Sequence, residues 1–143
     1  MQGALALTVA LLGALSALAR SIGILRWLTV MPLLASAHGV ANPERRAQIE
    51  LIFKTTITYG GGIGELLGVG LFMALALSTL CSSGWPAGRM PGWLAATGLL
   101  AALLLAGLFL PALRLPVQVP MAAAISALHL WMIAAGIWCL RSS

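Results

Sequence analysis

Charge-free apolar stretches dominate this chain: nothing charged interrupts residues 93–113, and only Arg20 and Arg26 interrupt residues 4–40. A soluble domain of this size needs charged faces on nearly every element, and soluble proteins carry roughly 25% charged residues. Here 8% of the 143 residues are charged and 61% are hydrophobic, so lipid is the solvent that suits the sequence. Backbone groups in hydrocarbon must be hydrogen-bonded within the chain, which restricts the spanning elements to helices or a closed barrel. Continuous apolar runs, in place of alternation between polar and apolar residues, select helices. The expected fold class is therefore an all-α integral membrane protein, with the whole of residues 1–143 as one transmembrane domain.

Three spans are expected at about residues 51–80, 93–113 and 119–140, each long enough for a hydrocarbon core of about 30 Å at about 1.5 Å per residue. The links between them hold turn residues: Gly84, Pro86, Gly88 and Pro91 in one, Pro111 to Pro120 in the other. Links this short imply antiparallel neighbours. Residues 4–40 would measure about 55 Å as one helix, too long for a single upright crossing. The pieces on either side of Arg20 and Arg26 are each too short for a crossing of about 20 residues. One long, tilted helix is expected there, with Pro32 as its natural bend. A cleaved signal peptide over residues 4–19 is the competing reading, against which the opening Met1-Gln2-Gly3 lacks basic residues. The predicted architecture is a four-transmembrane-helix antiparallel bundle.

Eight Lys and Arg stand against three acids. The basic residues sit at or near span ends, and the densest group is the pair Arg45 and Arg46, so they read as headgroup contacts and no nucleic-acid-binding stripe is present. Counting by the positive-inside rule gives four basic residues on each side if Arg20 and Arg26 snorkel away from the Asn42-Pro43 loop, which leaves the orientation open. Cys81 and Cys139 follow no spacing pattern and read as packing residues. Glu50 and Lys54, with Arg46 before them, have the four-residue spacing of helix-surface ion pairs.

The stretch Tyr59-Gly60-Gly61-Gly62-Ile63-Gly64-Glu65-Leu66-Leu67-Gly68 is the most informative. Gly60, Gly64 and Gly68, at spacing four, form a flat stripe on which another helix can approach closely, either within the chain or from another subunit. No strand precedes the stripe and no Lys-Ser or Lys-Thr follows it, which excludes a phosphate loop. Glu65 lies inside this stripe, about 17 to 21 Å from the helix end as read from the sequence. A carboxylate at that depth is costly and needs a polar partner or a water-filled cavity, so such residues are functional candidates. His129 and Arg26 are expected at a similar level, giving a candidate cluster of Glu65, His129 and Arg26. The plainer reading makes Glu65 and His129 hydrogen-bonding glue between helices.

A haem held between His38 and His129 is the least favoured alternative, because the two histidines are expected to differ in depth by roughly 8 Å. No grouping of Cys and His supports zinc, and no metal is expected.

The runs Ile49-Glu50-Leu51-Ile52-Phe53 and Tyr59 to Gly68, followed by Met90-Pro91-Gly92-Trp93-Leu94 with Gly98, resemble an uncharacterised family of bacterial multi-span membrane proteins, a domain of unknown function, over roughly residues 45–140. The resemblance implies a bacterial inner-membrane location and carries no activity, so it assigns no functional residue. Two classes of function follow from the residues. The first is a non-enzymatic membrane subunit or self-associating scaffold, docking through the glycine stripe, with the lipid bilayer and other membrane subunits or further copies as partners. The second is a small intramembrane enzyme or proton-handling protein acting through Glu65 on a lipid-soluble substrate. A cavity at Glu65 distinguishes them, because chemistry needs one and a scaffold does not. Four spans without repeated halves argue against transport by a monomer.

Overall fold

The computed structural model describes residues 2–142, and among these every regular element is helical. Helix α1 (Gln2–Val40) is continuous through Pro32. After Ala41 and Asn42 the chain enters α2 (Pro43–Gly61), passes without a break into a π-helical segment (Gly62–Met73), and continues as α3 (Ala74–Gly84). A turn leads to α4 (Gly92–Gly107), a short 3-10 turn (Leu110–Leu113) follows, and α5 (Met121–Ser142) completes the described chain.

Local chemistry explains these boundaries. Asn42 is extended, and its side-chain Oδ1 accepts the Arg45 backbone N–H at 2.9 Å. Pro43 then occupies the first helical position, where its missing N–H costs nothing, and Glu44 meets the positive end of the helix dipole. This start signal lies eight residues before the span expected from 51, and the second long helix runs from Pro43 to Gly84, 42 residues. The turn before α4 uses Gly88 at φ 67°, and Arg114 at φ 60° ends the 3-10 turn.

Three helices are long and apolar enough to cross a membrane: residues 3–40, 43–84 and 121–142. The expectation of a fourth falls on α4, whose 16 residues span about 24 Å, with the chain tightening into the 3-10 turn where the sequence suggested continued helix.

The long helices are unlike the rest of the molecule. At about 58 Å for α1 and about 63 Å for residues 43–84, each is about two and a half times the length of α4. They run past one another in opposite senses: Ser16 meets Gly68, Gly23 meets Gly64, and His38 meets Glu50. The side-chain core lies at one end only. It is built around Leu77, Cys81, Ala95, Leu105, Ala124 and Leu128, and every member or packed neighbour falls between Val69 and Trp131. Gly70 faces Leu105 O and Leu108 Cβ, 3.4 and 3.6 Å from where its own Cβ would sit, which sets the last turn of α4 level with Gly70. Toward the Ala41–Asn42 turn beyond that level, α2 packs against α1, and the two helices continue as a hairpin about 30 Å long.

Candidate functional site

The glycine stripe is filled from within the chain. A Cβ on Gly23 would lie 2.8 Å from Gly64 Cα and 2.9 Å from Gly60 O, so backbone rests on backbone where α1 crosses the stripe. At Gly68 the same space is taken by Arg20 Cγ and by the backbone of Ser16 and Arg20. Ser16, fully buried, donates its hydroxyl to Gly68 O at 2.7 Å. A π-helical stretch is rare, and here it coincides with the residues whose missing side chains let two helices approach this closely.

Such close contact expels large side chains to its flanks, and that is where the charged ones lie. Arg26 stretches across Gly60, with Cδ and Nη1 2.8 and 2.7 Å from the position a Gly60 Cβ would occupy. Its Nη1 donates to Gly23 O at 2.8 Å, its guanidinium lies 5.8 Å from the Trp27 ring, and its buried Nε has no hydrogen-bond partner. Arg26 Nη2 and Glu65 Oε1 each come within 4 Å of one point, the place of a Gly61 Cβ, at 3.8 and 3.9 Å. They nevertheless form no ion pair, and the one ion pair among the described residues is elsewhere. Arg26 is held by Gly23 O and by the backbone beneath it, so the two charges flank a space.

That space is a cleft of about 220 Å³, lined by Arg20, Arg26 and Glu65 together with Ile24, Trp27 and Val69, and reached from α5 by Ile125. The structure thus brings Arg26 and Glu65 to one site and adds Arg20. His129 is exposed one turn beyond Ile125, about 6 Å along α5, and does not line this cleft. His38 lies far along α1, with Nε2 3.5 Å from Glu50 Oε1, and lines a separate cavity with Met31, Ile49 and Phe53. His38 and His129 share no described cavity.

The expected ion pairing of Glu50 with Lys54 is corrected: Glu50 turns to His38 across the hairpin, while Lys54 lines an open groove with Thr55, Thr58 and Tyr59. Cys81 is buried in the core and Cys139 is exposed.

Three participants were missed from sequence. Ser16, Arg20 and Gly23 are spaced by four and three residues, the spacing of one helix face, and that regularity was the available signal. By sequence alone Arg20 reads as a headgroup contact.

One carboxylate and two guanidiniums in a small cleft can hold a ligand that carries both an anion and a cation. Paired-carboxylate chemistry has no second member here, because Glu44 and Glu50 sit in the opening turns of α2. No curated protein and no solved structure matches the chain. The match to a family profile takes in α1 as well as the later helices that carried the resemblance, and by that match over residues 1–139 the chain belongs to the family described as domain of unknown function DUF4386.

Proposed function

We propose that this is a multi-span membrane protein whose four-helix end crosses the bilayer as an antiparallel bundle, and whose long hairpin docks it into a membrane complex as a non-enzymatic subunit or scaffold. The charge pattern supports that placement of the bilayer. Residues 2–19, 66–88, 90–113 and 115–140 contain no Asp, Glu, Lys or Arg, and these are the segments gathered at the four-helix end. The α1 share of that end, residues 2–19, is about 27 Å long, close to a hydrocarbon core of about 30 Å. Arg20, Glu65 and Arg114 then border the core on the hairpin side, and Arg89 and Arg141 on the other. Six of the eight basic residues fall on the hairpin side, which the positive-inside rule makes the cytoplasmic face of a bacterial inner membrane.

The observation that carries the docking role is the apolar face of the hairpin. Leu28, Leu33 and Val40 are 75%, 70% and 90% exposed on the part of α1 that continues past α4 and α5. Lipid does not cover a segment standing outside the bilayer, and large apolar side chains this exposed to water are the kind an interaction surface covers. The partner is another membrane subunit or a second copy of the chain. Co-purification in mild detergent tests this with a matched pair: Leu28→Ser on the hairpin and Leu103→Ser on the outer face of α4, where Leu103 is 69% exposed. A stoichiometric partner, or a dimer, lost with Leu28→Ser and kept with Leu103→Ser is the expected result. Equal retention in both variants refutes it.

The cleft at Glu65 favours a second reading, in which Glu65 acts as acid or base on a lipid-soluble substrate. Loss of a substrate-dependent signal in Glu65→Gln, with assembly unchanged, would select that reading.

A further inference from the structure

The charged cleft contains more donors and acceptors than the chain satisfies. Among the described residues, the side chains of Arg20 and Glu65 make no hydrogen bond or ion pair, and Arg26 uses Nη1 on Gly23 O, which leaves its Nη2 without a partner. Unpaired ionic groups at the edge of an apolar slab are costly, and the cost is removed by a ligand of opposite charge. A plain anion would satisfy the two guanidiniums and be repelled by Glu65. A plain cation would meet the reverse difficulty. The arrangement suits a molecule with a phosphate for Arg20 and Arg26 and, a few ångströms away, a primary ammonium for Glu65.

The remaining walls decide what the rest of that molecule is. Ile24, Trp27, Val69 and Ile125 are apolar, so a hydrocarbon portion beside the polar head continues to find contact there. The cleft also lies just beyond the level where α4 ends, with Arg20 over Gly68 and with Gly70 against Leu108. We infer that the cleft is a binding site for the headgroup of an aminophospholipid of the phosphatidylethanolamine type, its phosphate held by Arg20 and Arg26 and its ammonium by Glu65. The site rests on the proposed bilayer placement, which sets this level in the headgroup region, and it is independent of whether the hairpin docks a partner.

The test uses the full chain in detergent, incubated with phosphatidylethanolamine, phosphatidylglycerol or phosphatidylcholine and read by native mass spectrometry. Wild type should retain phosphatidylethanolamine about tenfold over both others, since one lacks the cation and the other carries a quaternary ammonium that cannot donate a hydrogen bond to a carboxylate. Glu65 is exposed, so Glu65→Gln leaves the packing intact and should bring the ratio of phosphatidylethanolamine to phosphatidylglycerol close to one. Arg20→Gln should weaken retention of both. Equal retention of the three lipids by wild type, or an unchanged preference in Glu65→Gln, overturns the proposal. So does displacement of the lipid by soluble phosphoethanolamine at equal concentration, which would make the ligand a soluble amino-phosphate. Labelling of Thr55→Cys by a membrane-impermeant thiol reagent checks the bilayer placement separately. If Thr55→Cys is shielded in inverted membrane vesicles, the bilayer placement fails and the headgroup site fails with it; if Thr55→Cys is labelled and the lipid preference is absent, the headgroup proposal alone fails.

Discussion

The two ends of this molecule are held together in different ways. Between Val69 and Trp131, side chains interlock: Leu94, Leu105 and Cys81 are sealed in, and the Trp131 indole N–H donates to Leu94 O at 2.8 Å. Between α1 and the π segment there is almost no side chain to interlock, and Gly23, Gly60, Gly64 and Gly68 let backbones touch. A core of leucines tolerates small adjustments by changing rotamers. A backbone contact has no rotamers to change, so it is the less forgiving of the two, and it is the one that positions Arg20, Arg26 and Glu65.

Substitutions at each end break or sharpen that comparison. The largest effect is expected for Gly23→Leu, whose Cβ would meet Gly64 Cα at 2.8 Å; overpacking costs about 1–3 kcal/mol where neighbours can shift, and more here. The variant should lose its monodisperse peak on gel filtration, while Gly13→Leu, with nothing within 4 Å of its Cβ, should keep it. If both behave as wild type, the backbone contact does not exist as described. Leu105→Ala, at a fully buried site, should lower stability by about 2–5 kcal/mol in a thermal or denaturant titration, leaving a cavity that α4 cannot close. A cost below about 1 kcal/mol would mean that the core between Val69 and Trp131 is looser than its burial indicates.

Smaller effects probe the polar contacts. Ser16→Ala removes the hydroxyl from Gly68 O and should cost about 1 kcal/mol, measured against Thr8→Ala, whose hydroxyl bonds Ala4 O on an exposed face. Equal costs would show that the inter-helix bond contributes nothing beyond a local one. The smallest change is expected for Glu50→Gln, since His38 and Glu50 meet on an exposed surface: about 0–1 kcal/mol, falling further in high salt.

The helices were legible because lipid leaves the backbone so few options. Residues 4–40 read as one helix, and α1 is one helix. The span expected at 51–80 followed apolarity, and the helix that carries it begins earlier, at the Asn42-Pro43-Glu44 start signal, which is written in polar residues. The glycine stripe was visible by spacing, but its partner was not, because a stripe of small residues is equally open to any helix that reaches it. α1 occupies it here, so a variant such as Gly64→Leu reports on the hairpin's own packing. Arg26 and Glu65 were legible as a pair through their expected depths. His129 was grouped with them by the same depth reckoning, which assumes helices of equal reach and takes no account of how far around its helix a side chain stands.

What the sequence determines alone is solvent and secondary structure: charge-free runs demand lipid, and lipid demands helices, because an unpaired peptide group in hydrocarbon has nowhere else to turn. What tertiary structure decides is level. Depth counted along a helix presumes a common end for all helices, but α4 stops opposite Gly70 while α1 and α2 continue, so Glu65 stands just past the end of α4 and not at the middle of helices of equal reach. That difference comes from contacts between residues far apart in sequence, which hydropathy along one chain does not encode.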